Sequence, residues 1–384
     1  MGDLVPTSRV SENPRQWILV VNPTAGRFRA PRIAEEVRQL GGNHGLDIFV
    51  YETSPDKLDR ILDLGNRLRE INPSESNPVG LLALGGDGTV NDMVVGVMTY
   101  LFPNLTDYVQ GSPEDVATTM LASGIWMGTS AMGGANDLAM LYGAPRPVPL
   151  RLVHFMQQAT TVPLNLGIGF LDDGPPVLFA HTLSGGVAIA PVYEETVDER
   201  GMAARRHRQW LGFEKVVLHP QSVSVQWEGG QEESTFEVIA HATRRADGMN
   251  GFPGAPFPGI GIKVLPNWGR ANTARMFSEV VFRGLVSRAG WTSLLMREGG
   301  LRSLPPSHQQ ALVVGEEMGF IFEEPVAVQG CGDFLHRASQ LKVKAGVPFP
   351  RSLSHRSSTM AQIAHRMGGP RLLGSPAGPR LLLR

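Results

Sequence analysis

The sequence predicts an α/β protein in two parts, a helix-covered parallel sheet followed by a mostly antiparallel β domain. Three observations predict it. Between residues 17 and 101, short apolar runs alternate with stretches of helical periodicity, the pattern of a parallel sheet with crossover helices on both faces. From about Pro163 the texture changes to short apolar or alternating runs separated by Gly and Pro, the pattern of antiparallel strands. Finally, 384 residues with 42% hydrophobic composition call for two cores, since single cores stop growing beyond roughly 250 to 300 residues.

The first strand is Trp17 to Val21, a β-branched apolar run that ends at the turn-forming cluster Asn22-Pro23-Thr24-Ala25-Gly26. A helix is expected to open at Pro31, to bury Ile33, Val37 and Leu40, and to close at Gly41-Gly42. Asp47 to Tyr51 reads as the second strand. Ser54 follows as N-cap and Pro55 as first helical residue, with Leu58, Ile61, Leu62 and Leu68 as the buried stripe. Val79 to Leu84 is the third strand, and Val90, Val94, Val97, Met98 and Leu101 continue as a helix. This is a Rossmann-like order, in which ligands bind at the carboxyl ends of the strands. The β-rich part is read from Val177 to Ala190, Val216 to Trp227, Phe236 to Thr243, Gly259 to Leu265 and Phe320 to Val328. Helices are expected around Glu194 to Trp210 and Ser287 to Arg297, and a loop over Gly251 to Gly259. The domain limits that follow are 14–150 and 151–346, with 351–384 as a disordered basic tail.

A net charge of −1 gives no global reason to bind nucleic acid, so none is expected as a partner. The single cysteine, Cys331, excludes an internal disulfide and any multi-cysteine zinc site, which suits a cytoplasmic protein. Residues 1–15 lack a signal-peptide core, and the longest apolar run, Met93 to Phe102, is too short to span a bilayer. No transmembrane segment is expected. Arg205-Arg206-His207-Arg208 with Trp210, and the arginines and leucines of the tail, could dock on an anionic membrane surface, yet such a basic run is more often a solvated helix face and the tail reads equally well as an inert solvated stretch. His181, alone in an apolar stretch, reads as a hydrogen-bonded core residue.

The chemistry concentrates at Gly85-Gly86-Asp87-Gly88-Thr89, between an apolar strand and a helix, where backbone N–H groups and the helix end can hold phosphate. Asp87 in that anionic place suggests a magnesium ion or a proton-accepting role. On its own the turn reads equally as a tight strand-to-helix connection whose Asp caps a helix. It is neither a Gly-Lys-Ser/Thr loop nor a three-glycine dinucleotide fingerprint.

Three ordered motifs sharpen the reading: Val21-Asn22-Pro23-Thr24-Ala25-Gly26, Gly85-Gly86-Asp87-Gly88-Thr89-Val90-Asn91-Asp92, and Gly133-Gly134-Ala135-Asn136-Asp137-Leu138-Ala139. Together they resemble those of the diacylglycerol kinase and sphingosine kinase family, strongly over about 17–143 and weakly through about 345. The resemblance implies a nucleotide domain, a β-sandwich domain, and a cleft in which ATP with magnesium meets a lipid hydroxyl at a membrane surface. It implies nucleotide binding by Asn22, Pro23, Thr24, Gly26, Gly85, Gly86, Gly88, Thr89, Asn91, Gly133, Asn136 and Asp137. Asp87 and Asp333 become catalytic candidates and Asp87 the metal ligand. A homodimer is compatible with it. More distant relatives phosphorylate NAD, which keeps a small soluble acceptor open.

Several family residues are replaced. Gly134 stands for threonine and Met140 for arginine in the third motif, and His181 and Ala188 stand at an Asn and an Asp position. In Val328-Gln329-Gly330-Cys331-Gly332-Asp333, Cys331 replaces an aspartate and Asp333 a glutamate. A neutral thiol lacks both the charge and the hydrogen-bonding geometry of a carboxylate. The two expectations are therefore a divergent lipid kinase and a relative that binds nucleotide without transferring phosphate.

Overall fold

The structure, a computed structural model, describes residues 13–54, 56–133, 136–158, 160–196, 199, 207–208, 210–242, 258–267 and 308–354. Strands β1 (Gln16–Val21), β2 (Asp47–Glu52), β3 (Val79–Leu84), β4 (Ile125–Thr129), β5 (Thr160–Leu164) and β15 (Phe349–Ser354) form a six-stranded sheet in the order β2-β1-β3-β4-β15-β5. All neighbours pair in parallel except β5, which runs antiparallel to β15. The central strands are apolar on both faces. Ile18, Val20, Leu81 and Ala83 point into one core, whereas Trp17, Leu19, Leu82 and Leu84 point into the other.

Helices fill both faces. Behind the second core lie α2 (Ala30–Asn43) and α8 (Pro149–Gln158), which contribute Ile33, Val37, Leu152 and Phe155. The first core is covered by α3 (Lys57–Ile71), α4 (Asp87–Leu101), α5 (Leu105–Gln110) and α6 (Pro113–Ala122). Gly65 and Gly96 let α3 and α4 touch closely, since a Cβ on Gly96 would come within 3.0 Å of Leu64. α2 runs through Gly41-Gly42 to Asn43, because Gly41 leaves room for Ile48, whose Cδ1 would lie 2.2 Å from a Cβ there. The N-cap of α3 is Asp56, whose carboxylate accepts the Asp59 N–H, and the Ser54 hydroxyl accepts the Asp56 N–H two residues earlier. The buried stripe of α3 is Leu64, Gly65 and Leu68, while Leu58 and Leu62 face solvent.

The second sheet is antiparallel throughout, with nine strands: β6 (Gly167–Leu171), β7 (Val177–Phe179), β8 (Thr182–Gly186), β9 (Val223–Trp227), β10 (Gly230–His241), β11 (Gly259–Pro266), β12 (His308–Val313), β13 (Glu317–Gly330) and β14 (Asp333–Ala345). The long strands β10 and β13 each pair with β8 at one end and with β9 at the other, with register shifts between. The sheet therefore curls around one core containing Ile262, Val264, Phe320, Val328 and Leu341. The α/β class with a parallel and then an antiparallel sheet is as the periodicity predicts. Val216 to Leu218 form part of a π-helical turn, Glu214–Leu218, so that strand begins only at Val223. Of the helix expected at Glu194 to Trp210, the short α9 (Ala190–Glu195) is present, and the described residues 207, 208 and 210–213 are helical as well; Arg208 bonds inward to Thr196 and lies over the Tyr193 ring, while Trp210 is exposed. The helix expected at Ser287 to Arg297, the loop over 251–257, Arg205 and Arg206 lie outside the described residues.

Sheet membership divides the chain differently from the limits 14–150 and 151–346. β5 belongs to the first sheet, and the chain returns to it with β15 after the whole second sheet has formed. Arg351 to Ser354, assigned to a disordered tail by composition, are the buried end of that strand, and Arg351 reaches Glu75 at 3.0 Å. Ser and Arg in Phe349-Pro350-Arg351-Ser352 hid a strand whose apolar anchors are only Phe349 and Leu353. Residues 355–384 lie outside the described ones.

This placement has a testable cost. A chain ending at Pro348 loses Phe349 and Leu353, both buried to within 1%. Their burial alone is worth about 3 to 6 kcal/mol, comparable with the whole stability of many domains. Such a chain is expected to show no cooperative thermal melt, whereas one ending at Ser354 should melt like the full chain. A normal melt for the shorter form would remove β15 from the folded core.

Candidate functional site

The strand order places β1 between β2 and β3, so the connections after β1 and β3 leave in opposite directions and open a crevice between them. The first and second motifs occupy that crevice. Asn22 shapes the first: its Oδ1 accepts the Thr24 N–H at 3.0 Å and the Thr24 hydroxyl at 2.8 Å, while its Nδ2 reaches Thr89 Oγ1 at 3.4 Å. Pro23 lies within this turn. Gly26 donates its N–H to Met132 O and adopts φ 59, and the following Arg27 and Phe28 share that left-handed backbone in the single turn α1 (Ala25–Phe28). Two non-glycine residues in this region make it a strained turn.

The second motif is the N-terminus of α4, with Gly86 as N-cap. An α-helix leaves its first N–H groups without intrahelical acceptors, here those of Asp87, Gly88 and Thr89, and aims its positive end outward. Gly85 and Gly133 have steric reasons. A Cβ on Gly85 would lie 2.2 Å from Thr89 Oγ1, and one on Gly133 would lie 2.3 Å from the Cα of Gly86. The second and third motifs thus meet backbone to backbone, which only glycines allow.

Asp87 secures that meeting. Its Oδ2 accepts the Asp137 N–H at 3.1 Å and its Oδ1 the Leu138 N–H at 3.0 Å, so it caps the short helix α7 (Asp137–Leu141) from across the crevice. The alternative that Asp87 caps a helix was legible; that the helix belongs to the third motif was not. Asn136, at φ 57, accepts the Gly133 N–H at 2.6 Å and returns its amide to Gly133 O, which closes the loop. Gly134 lies outside the described residues, as does the side chain of Met140.

Two expected nucleotide contacts turn inward instead. Asn91 is buried and accepts the Ala180 N–H at 3.0 Å, tying α4 to the β7–β8 connection of the second sheet. Asp137 is fully buried and lies 3.3 Å from His181 Nε2, so the histidine expected in the core is held by a carboxylate of the third motif. Both residues join the two sheets.

The second sheet supplies the far wall through the β13–β14 turn. Its Cys331 carbonyl lies 3.6 Å from where a Cβ on Gly88 would be. Cys331 itself is buried with φ 52, and its Sγ lies 3.5 Å from Thr182 O. Burial pushes its thiol up to about 11, so the group is neutral. Asp333 is half-exposed and pairs with Lys57 Nζ at 3.0 Å. Lys57 also lies 4.0 Å from Asp92, whose Oδ2 receives Arg60 at 2.9 Å. Burial raises Asp92 above the usual carboxylate range despite both cations. Burial alone would lower Lys57, but Asp333 and Asp92 outweigh it and hold its ammonium above the usual value.

The line Arg60, Asp92, Lys57, Asp333 escaped the sequence reading. One signal for it was available: Lys57 is the first residue of a helix, where the macrodipole disfavours a cation. Glu237 was also missed. It is fully buried and caps α9 by accepting the N–H groups of Ile189 and Ala190, and burial pushes it up to about 7. The folded protein thus holds this proton more tightly than the unfolded chain, so the stabilisation is complete below pH 4.5 and is lost as pH rises toward 7. Stability should fall by up to about 3 kcal/mol across that window on account of this one group. Glu237→Gln is expected to flatten the slope in urea melts. An equal slope in both proteins would mean that Glu237 is ionised throughout.

The donors of the crevice do not build a protein-held magnesium site. Both Asp87 oxygens already accept backbone N–H groups, Asp333 and Asp92 are paired with cations, and no group of three or more His, Cys, Asp or Glu among the described residues is arranged for a metal. No helix of the described residues is long and apolar enough to cross a membrane.

Comparison with known proteins fits this geometry. Residues 16–167 match the family model of the diacylglycerol kinase catalytic domain, a stretch that contains all three motifs. Two solved structures, each of a candidate diacylglycerol kinase from Bacillus anthracis str. Sterne, share the fold over 86% of this chain and 94% of theirs. Their TM-scores are 0.50 and 0.51, at 16% and 15% identity. No curated protein matches the sequence. The N-terminal part of the chain, residues 16–167, is thus similar to the diacylglycerol kinase catalytic domain, and the chain shares its overall fold with the two solved structures.

Proposed function

We propose that the chain is an ATP-dependent kinase whose acceptor is a lipid hydroxyl. The observation that carries this reading is the convergence of the three motifs and the β13–β14 turn around the N-terminus of α4. Phosphoryl transfer depends mostly on positioning and charge stabilisation, which backbone donors on a rigid helix end can supply. In this reading the β- and γ-phosphates sit at the N–H groups of Asp87, Gly88 and Thr89, and Asn22 and Gly26 shape the neighbouring loop. The acceptor oxygen attacks the γ-phosphorus, the bond to the bridging oxygen breaks, ADP leaves, and the hydroxyl proton passes to Asp333. Asp87 acts by holding the third motif in place. Magnesium would enter as the nucleotide's own counter-ion. A lipid acceptor brings the protein to a membrane surface as a peripheral visitor.

A second reading has its own observation. Asp333 is neutralised by Lys57 and Cys331 is an uncharged thiol, which favours a relative that binds nucleotide without transferring phosphate. One assay separates the two: γ-labelled ATP, magnesium and a panel of diacylglycerol and sphingoid lipids, with calorimetry of ATP binding alongside. Labelled lipid supports the kinase. Binding without labelled lipid supports the second reading, and no binding overturns both.

A further inference from the structure

The β13–β14 turn approaches the first sheet's helices at two described places: Cys331 O lies 3.6 Å from where a Cβ on Gly88 would be, and Asp333 pairs with Lys57. The first is an approach to glycine backbone, with no hydrogen bond to give it direction. The second is charged, directional and short, with Lys57 Nζ to Asp333 Oδ2 at 3.0 Å. Lys57 is also held from the other side by Asp92, which stands one turn beyond Gly88 on the same face of α4. Asp92 is buried, and its Oδ1 has no hydrogen-bond partner. A cation at the first position of α3 runs against the helix dipole. Its position is therefore explained by the two carboxylates it bridges, one from each part of the fold.

We propose that Lys57 is a positioning residue: it latches the Cys331–Asp333 turn over Gly88 and so sets the width of the crevice between the two sheets. The latch itself does not depend on the kinase reading; its consequence for a bound phosphoryl group does. Lys57 acts through Asp333 and needs no contact with the ligand. Arg60 cannot replace it, because its guanidinium is already spent on Asp92 Oδ2 and on Ser54 O.

The single cysteine of the chain makes the latch measurable. Cys331 lies two residues from Asp333 and is buried while the turn is closed, so its rate of reaction with a thiol reagent reports turn opening. A charge-assisted hydrogen bond of this kind, half of it in contact with solvent, should change that rate about tenfold when removed. The expected result, for the full chain without nucleotide, is labelling about tenfold faster in Lys57→Met and in Asp333→Asn. The double variant should be no faster than either single one, and Lys57→Arg should restore slow labelling.

Global loosening is separated by Leu152→Ala, a buried residue of α8 in the core on the other face of the first sheet from α3 and α4. If it accelerates labelling as much as Lys57→Met does at matched stability, the latch is overturned. Wild-type labelling in Lys57→Met, or fully additive rates in the double variant, overturns it as well. ATP affinity measured on the same variants separates the kinase reading: faster labelling with unchanged ATP affinity supports a latch that does not serve the phosphate site, whereas absence of ATP binding in the wild type removes the kinase reading alone.

Discussion

Asp87→Asn is expected to weaken ATP binding and phosphoryl transfer by about 100-fold and to lower the melting temperature as well. The change reaches the fold as well as the phosphates, because the two Asp87 oxygens accept the N–H groups of Asp137 and Leu138. An amide keeps one acceptor and turns an NH2 toward the other N–H, so one bond is lost and one donor is left facing a donor. Breaking such a pair costs about 2 to 3 kcal/mol. The third motif then drifts from Gly86, and a misplacement of about 1 Å can cost about 100-fold in rate. Calorimetry of ATP binding and a thermal melt check both effects. An unchanged melting temperature would mean that Asp87 does not hold the third motif, and an unchanged ATP affinity would mean that the third motif does not matter to the phosphates.

The parts of the fold legible in the sequence were those whose pattern is local. Strands β1 and β3 announce themselves as unbroken apolar runs, and the loops after them carry the glycine and Asn-Pro signatures that mark the crevice. What remained hidden depends on residues far apart. β15 completes a sheet begun more than 300 residues earlier, and neither its Pro350 nor its Arg351 reads as core. Asn91 and Asp137 sit inside family motifs, yet their side chains turn to Ala180 and His181 of the other sheet. A motif fixes which backbone is present; only the packing of the two sheets decides which way each side chain faces.

The same limit applies to charge. Four carboxylates stand near the glycine turn, Asp87, Asp92, Asp137 and Asp333, of which Asp87 is the metal ligand that the resemblance implies. In the fold each one is committed: to backbone N–H groups, to Arg60, to His181 and to Lys57. Because a carboxylate's value as a base or ligand depends on what already neutralises it, the residue count overstates the acidity of the crevice.

The replacement at Cys331 then becomes the decisive test of catalysis, and Cys331→Asp with Asp333→Glu is expected to raise the transfer rate by about 100-fold. The site can accept the change. Cys331 sits at φ 52, a left-handed conformation that aspartate adopts more readily than most residues, and the Lys57 ammonium lies close enough to favour a carboxylate there. The cost is local: the thiol now faces Thr182 O, a carbonyl that would repel a carboxylate, so the new side chain must rotate toward the crevice. Asp333→Glu lengthens the partner, keeping an acid within reach of Lys57 while a second one becomes available as base. A positioned base typically contributes about 100- to 10,000-fold, and the lower figure allows for imperfect geometry. Initial rates with labelled ATP, magnesium and the responsive lipid give the readout, with ATP affinity as control. A gain in rate at unchanged affinity identifies a kinase weakened at one position. Background transfer in the double variant, with ATP still bound, would mean that the crevice holds nucleotide for a purpose other than catalysis.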